Sequence, residues 1–272
     1  MKIQKLFSKN AVYQKFEVLK TNRNKRYKYK EFLIEGVRNI NGAVQGNWQI
    51  NSFIYSAEKN YSSWAAGLLA KIETKVNYEL TDSLMKELSD KEETSELLAV
   101  VQMKEENESI FTLRENPVIA LFDRPSNKGN LGTMFRSCDA LGVDGLIITG
   151  HAVDVYDPEV VRSSMGSFFH VRFCRLSENI EISRCIGDLR NRYPQIKVVG
   201  TAECSEKLLQ DIDMKTPILF LIGNESDGLS KYYIDTCDIM AAIPMSEHSS
   251  ASSLNVSCAA TVMFYEAARQ RG

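Results

Sequence analysis

The chain has 272 residues, enough for two domains or one large one, and its 44% hydrophobic and 25% charged content excludes wholesale disorder. No run approaches the roughly 20 apolar residues that span a bilayer, and the basic start MKIQKLFSKN lacks the apolar core of a secretory signal, so the expected location is the cytoplasm. The formal charge is only −2, yet residues 1–38 hold eleven Lys and Arg against three Glu, a local +8 that leaves the remainder acidic.

In chain order, the stretch from Lys15 to Arg38 interleaves its charges with Phe16, Tyr27, Tyr29 and Phe32. KEFLIEG and INSFIYS predict strands, SSWAAGLLAKI and TDSLMKELS predict helices, and ELLAVVQM predicts another strand. The acidic, polar run KEENESIFTLRE marks a domain boundary, placed between residues 108 and 109. From Asn116 the texture changes. The apolar runs PVIALF, GLIIT, KVVGT, PILFLIG and IMAAIP recur between helix-length segments. Continuous apolar strands alternating with helices predict an α/β unit whose mostly parallel sheet is covered on both faces. Helices are expected near 131–142, 158–166, 180–193 and 253–270, the last with Leu254, Cys258, Val262 and Tyr265 on one side.

The six cysteines include no C-x-x-C pair, and His151, His170 and His248 show no ligand spacing with them. The reading is buried thiols in a reducing compartment, with no metal site.

Ligands of such sheets bind beyond the carboxyl ends of the strands. Three polar segments fall there. The first, DRPSNKGNLGTMFRS, holds Asn130, Gly132 and Arg136 in the spacing N-x-G-x-x-x-R, a glycine-bearing turn into a helix whose N-terminus suits an anion. The second, LIGNESDGLS, places Gly223, Asn224 and Glu225 after a fully apolar strand. A carboxylate there is costly unless paired, and Arg136 is the expected partner. The third, AIPMSEHSSASSLNVSCAA, ends a strand and opens the last helix, with Ser252 or Ser253 expected as its N-cap. The G-x-G-x-x-G, G-x-x-x-x-G-K-[ST] and G-x-S-x-G fingerprints are absent, which removes most of the weight from dehydrogenase, NTPase and serine hydrolase readings.

In this order and spacing the three segments resemble the SpoU/TrmH family of RNA ribose 2′-O-methyltransferases, within the SPOUT superfamily. NLGTMFR matches its first motif, GNESDGL its second, and IPM with SSLNVSCAA its third, while DPEVVRSSMGSFFHV is similar to the stretch between the first two. The resemblance covers about residues 116–270 and, more loosely, the N-terminal part. It implies a C-terminal domain knotted as a trefoil around a mostly parallel sheet, with a smaller α/β N-terminal RNA-binding domain. It also implies a homodimer and S-adenosyl-L-methionine as cofactor. The cofactor would lie against Gly223, Ile243, Met245, Ser253 and Leu254. Arg136, Asn130, Glu225 and Asn255 would carry the chemistry. Lys128 stands where proline is frequent in the family, and the loop with Glu247 and His248 is about two residues longer than the family pattern. His248 could serve as a base, but the preferred reading is a loop histidine, since the family pattern carries none there.

The resemblance implies attack of a ribose 2′-hydroxyl on the cofactor's methyl group. Arg136 is either the base or a clamp on the substrate phosphate; a guanidinium, which normally stays protonated, is an awkward base. Lys25, Arg26, Lys28, Lys30 and Lys128 are the expected RNA contacts. A separate N-terminal domain favours large-subunit rRNA as substrate. The alternatives are a tRNA 2′-O-methyltransferase, a non-catalytic RNA-binding member, an antibiotic-resistance methyltransferase of the same architecture, a base N-methyltransferase, and a small-molecule α/β enzyme.

Overall fold

The computed structural model describes residues 2–106, 114–202 and 205–272. The expected boundary at 108/109 and Cys204 lie outside them. The chain forms two compact units. One gathers residues 1–105 and 154–170, the other 106–153 and 171–272. The stretch that resembles the family's link between motifs therefore packs with the first 105 residues.

The first unit runs β1 (Ile3–Leu6), α1 (Ala11–Thr21), α2 (Arg23–Tyr29), β2 (Glu31–Glu35), α3 (Val37–Gln45), β3 (Ile50–Ser56), α4 (Ser63–Lys71), β4 (Asn77–Leu80), α5 (Asp82–Leu88) and β5 (Leu97–Gln102). Its sheet has the order β1-β4-β3-β5-β2, with β5 antiparallel to both neighbours and the β4 pairings parallel. The central strand β3 is buried along its whole length. On one face, α1 lays Tyr13, Phe16 and Leu19 at three-residue spacing against Leu33, Ile54 and Leu98. Each such side chain contributes roughly 1.5–3 kcal/mol by burial. On the other side of Phe32, the rings of Trp48, Tyr156 and Phe168 lie 5.0–5.9 Å from it, centroid to centroid. Gly42 is required there, because a Cβ would sit 2.7 Å from the Gly166 carbonyl oxygen.

The basic N-terminal stretch is thus two helices and a strand. Asn10 caps α1 by accepting the Val12 and Tyr13 N–H groups, and Asn22 both ends α1 and caps α2. The charge density hid this helical spacing. It also misled on one residue. Arg26, expected on RNA, is only 2% exposed. Its Nε donates to Asp154 at 2.7 Å, its Nη2 lies 2.6 Å from the same carboxylate and 3.5 Å from Asp157, and its Nη1 donates to the carbonyls of Leu19 and Lys20. A guanidinium so enclosed has no donor to offer a phosphate. Lys28 and Lys30 are exposed and Lys25 half-buried.

The second unit contains β6 (Val118–Asp123), α6 (Lys128–Ala140), β7 (Gly145–Thr149), β8 (Phe173–Leu176), α8 (Asn179–Arg192), β9 (Lys197–Thr201), β10 (Ile218–Ile222), α9 (Lys231–Thr236), β11 (Ile239–Ala241) and α10 (Val256–Arg271); α7 (Pro158–Ser163) belongs to the first unit. The six strands, in the order β11-β9-β10-β6-β7-β8, are all parallel. Every residue of β6, β7 and β10 is buried, so both faces are covered. Ile119, Leu121, Leu219 and Leu221 meet Ile182, Cys185, Ile186 and Leu189 of α8. Phe220, pointing the other way by strand alternation, meets Phe264 of α10. Strand order runs away from β6 in both directions, so the switch point lies between β6 and β10, where open parallel sheets bind their ligands.

One detail of the last helix differs from expectation, and a second was left open by the one-sided spacing. Its N-cap is Asn255, not Ser252 or Ser253. The apolar row Cys258, Val262 and Tyr265 faces outward, while Ala260, Met263, Phe264 and Ala267 fill the core. At its far end Arg271 donates to the carbonyls of Met214, Thr216 and Asn116, and burial pushes its pKa down.

Removing one partner of a buried, hydrogen-bonded ion pair leaves the other charge stranded. Arg26→Ala should therefore lower unfolding free energy by about 3–5 kcal/mol in urea denaturation. A loss below about 1 kcal/mol would mean that the pair behaves like a solvent-screened surface bridge.

Candidate active site

The site is assembled from the ends of β6 and β10 and the start of α10. After β6, the chain reaches Asn127, whose side chain accepts the Asn130 N–H at 2.9 Å and caps α6. The helix begins at Lys128, so Gly129 and Gly132 lie inside it and not in a loop before it. After β10, Gly223 leads into a tight turn in which Asn224 and Gly228 exchange both backbone hydrogen bonds, at 2.9 and 3.0 Å. A Cβ on Gly223 would lie 2.3 Å from the Gly228 carbonyl carbon and 2.4 Å from the Leu229 nitrogen. Only glycine allows the strand to leave the sheet under its own loop.

That turn delivers Glu225 to the N-terminus of α6. One carboxylate oxygen accepts from the Ser126 N–H at 2.9 Å and the Ser126 hydroxyl at 2.8 Å. The other accepts from the Asn127 N–H at 3.0 Å and Asn130 Nδ2 at 3.3 Å. Burial alone would raise the Glu225 pKa, but the bonds from Ser126 and Asn127 outweigh it and hold the carboxyl below its ordinary value. The positive end of the α6 dipole acts in the same direction. The expected pairing of Glu225 with Arg136 does not occur, since the carboxylate's acceptor sites are filled by backbone and hydroxyl donors. Arg136 lies on α6, exposed, with no hydrogen bond or ion pair among the described residues.

Asn130 carries the network onward. Its Oδ1 accepts from Asn255 Nδ2 at 3.0 Å, and its carbonyl accepts from the Ser257 hydroxyl at 2.9 Å. Asn255 accepts the Ser257 and Cys258 N–H groups. Three of the four expected catalytic residues, Glu225, Asn130 and Asn255, are therefore one hydrogen-bonded chain. Ser126 and Asn127 were not anticipated, although an Asn three residues before Asn130 is a helix-start signal.

Beside this chain lies a cleft of about 470 Å³. Gly223, Ile243, Met245, Ser253 and Leu254 all line it, as does Glu225. The volume is within the roughly 300–1,000 Å³ of small-molecule sites, and the walls mix backbone polar groups with Ile243, Leu229 and Leu254. The residues present thus fit a nucleoside-sized cofactor. Lys128 is half-buried at the start of α6, and His248 lies exposed in the loop after β11.

A depressed carboxyl contributes stability above its unfolded-state pKa and loses it as pH falls through the folded value. Glu225→Gln, which cannot accept from all four donors, should cost about 1–3 kcal/mol at neutral pH. The difference from wild type should shrink below the ordinary carboxylate range, where the wild-type group protonates. Urea titrations across pH check this; a gap that stays constant into acid would show that the charge of Glu225 is irrelevant.

A family model for the SpoU rRNA methylase family matches residues 117–265, and one for the SpoU L30e-like domain matches residues 10–99. The chain is 41% identical over 269 residues to the 23S rRNA (uridine(2479)-2'-O)-methyltransferase of Streptomyces viridochromogenes, covering 98% of this chain and 93% of that protein. It is 27% identical to the 23S rRNA (guanosine(2553)-2'-O)-methyltransferase RlmP of Bacillus subtilis, covering 95% and 96%. The crystal structure of the SpoU methyltransferase AviRb from Streptomyces viridochromogenes in complex with AdoMet matches with a TM-score of 0.90 and 42% identity, covering 96% of this chain and 98% of that one. With both of its parts matched and its length shared with these relatives, the chain belongs to the SpoU rRNA methylase family.

Proposed function

We propose that the substrate is 23S rRNA, methylated at the 2′-hydroxyl of one ribose. The enzyme is an S-adenosyl-L-methionine-dependent RNA ribose 2′-O-methyltransferase. The observation that carries the site reading is the Glu225–Asn130–Asn255 chain, which joins three separate segments beside a cleft of cofactor size. The cofactor, when bound, supplies a methyl group on a sulfonium sulfur. Gly223, Ile243, Met245, Ser253 and Leu254 would hold it, and the protein's remaining task is alignment of the ribose.

Glu225 acts by position. Its oxygens are committed and its basicity is depressed, so it fixes Asn130 instead of taking a proton. Among the described residues, no carboxylate takes the donors of Arg136. A guanidinium is planar, stays charged in proteins and suits a phosphate clamp better than a base, so Arg136 holds the phosphate beside the target ribose. Arg136→Ala should then lose roughly two to three decades of methyl transfer with cofactor affinity nearly unchanged, and Arg136→Lys should be poor because a point charge cannot replace the planar fork. Tritiated methyl transfer to 23S rRNA, paired with cofactor calorimetry, tests this. Near-normal activity in Arg136→Ala removes the assignment, and label on a released base removes the 2′-O reading.

The outward apolar row of α10, with Val262 38% and Tyr265 57% exposed, supports a homodimer through this unit; a monomer mass at micromolar concentration contradicts it. The order of the parallel sheet and the packing of α10 on α6 and β10 are consistent with the trefoil knot. Cys138, Cys174 and Cys185 are buried, as expected, whereas Cys237 is half-buried and Cys258 exposed, and the proposed location is the cytoplasm. No helix among the described residues is long and apolar enough to cross a membrane.

The first unit is proposed to bind the RNA, with Lys25, Lys28 and Lys30 as contacts and Arg26 excluded by burial; Lys128 of the second unit would join them. Neutralising Lys28 and Lys30 together should flatten the salt dependence of RNA affinity by roughly 0.7–0.9 per lost phosphate contact. An unchanged slope means that these two side chains do not meet RNA.

A further inference from the structure

Asp123 and Arg124, at the carboxyl end of β6, form an ion pair outside the chain of contacts at the cleft. Asp123 is 2% exposed. Its carboxylate accepts from Arg124 Nε and Nη2, each at 3.0 Å, and from the Thr149 hydroxyl at 3.2 Å. Two adjacent residues meet in this way because Arg124 has a left-handed backbone, φ 45°. That region is sparsely populated for a non-glycine residue and persists only where the surroundings enforce it. The surroundings are visible. Gly150 leaves room for the Arg124 stem, since a Cβ there would lie 2.6 Å from Arg124 Cγ.

The strained backbone has a consequence. It turns the Arg124 carbonyl toward β10, where it accepts from Asn224 Nδ2 at 2.7 Å. The other end of the same amide, Asn224 Oδ1, accepts the N–H groups of Ser226 at 2.8 Å and Asp227 at 3.3 Å, inside the turn that carries Glu225 and walls the cleft. We propose that Asp123 and Arg124 are a positioning pair: their ion pair holds the left-handed carbonyl that fixes Asn224, and through Asn224 the Gly223–Gly228 wall of the cofactor cleft. This rests on the reading that S-adenosyl-L-methionine occupies that cleft. Neither residue lines the cleft, so both act through Asn224.

The test is calorimetric titration of S-adenosyl-L-homocysteine into the full-length protein, with thermal melting of each variant. Asp123→Asn and Asn224→Ala should each weaken binding about tenfold, and the double variant should be no weaker than the worse single, because both break one linkage. In turnover, the KM for S-adenosyl-L-methionine should rise while kcat at saturating cofactor stays within about threefold. A variant Asp123→Asn that melts lower yet binds like wild type overturns the proposal, as does a double variant whose loss is the product of the singles. If Asp123→Asn folds poorly, Thr149→Val removes one of the three bonds to the carboxylate and should weaken binding in the same direction by a smaller factor. Wild-type binding in Thr149→Val then overturns the proposal. Gly223→Val separates the two levels. Normal binding in it overturns the cleft reading itself, whereas weakened binding beside an unaffected Asp123→Asn overturns the positioning pair alone.

Discussion

The Glu225 carboxylate at the N-terminus of α6 is the interaction on which the site depends. A helix start presents N–H groups with no intrahelical acceptor, and a strand exit presents a charge that is costly to bury unpaired. Here each solves the other's problem. Ser126 and Asn127 give their N–H groups to a carboxylate delivered from β10, nearly a hundred residues later in the chain. The loops after β6 and β10 are thereby tied together at the point where the sheet order reverses. Asn130 then extends the tie to Asn255, so the start of α10 is set by the same carboxylate.

This arrangement separates two roles that a sequence motif merges. Glu225, Asn130 and Asn255 spend their hydrogen-bonding capacity on one another and on backbone groups. Arg136 does not. Residues that hold a site must have their partners inside the protein; a residue that grips a substrate must have its donors outside. On that criterion the three former residues build the scaffold, and Arg136 fits the proposed role of a group that grips the RNA.

The same criterion sorts the basic residues of the first unit. Eleven cations in 38 residues form one compositional signal, yet they do different work. Arg26 is a core residue, its charge balanced by Asp154 and its donors taken by Leu19 and Lys20. Lys9 and Lys20 reach the carboxylates of Glu87 and Asp90. Lys28 and Lys30 remain exposed. A local charge of +8 therefore overstates the charge available to a polyanion, and only the fold says by which residues.

By itself, the sequence determined the parallel strands and the order of the three polar segments. Runs such as PILFLIG and GLIIT must be buried on both faces, and a polar, glycine-bearing segment after such a strand must lie at its carboxyl end. The grouping of Gly223, Ile243, Met245, Ser253 and Leu254 around one cleft followed from the family resemblance. Other features were hidden. The strands β1 and β4 are short and half polar, β8 is only four residues long, α1 and α2 were obscured by charge, and α3 carries more polar and glycine positions than apolar ones. The partners of Glu225, the burial of Arg26, the outward row on α10 and the left-handed turn at Arg124 were decided by tertiary structure alone. In each case the deciding contact joins residues far apart in the chain, or a backbone conformation enforced by such a contact. Local composition records what a residue can do, and the fold decides which partner reaches it first.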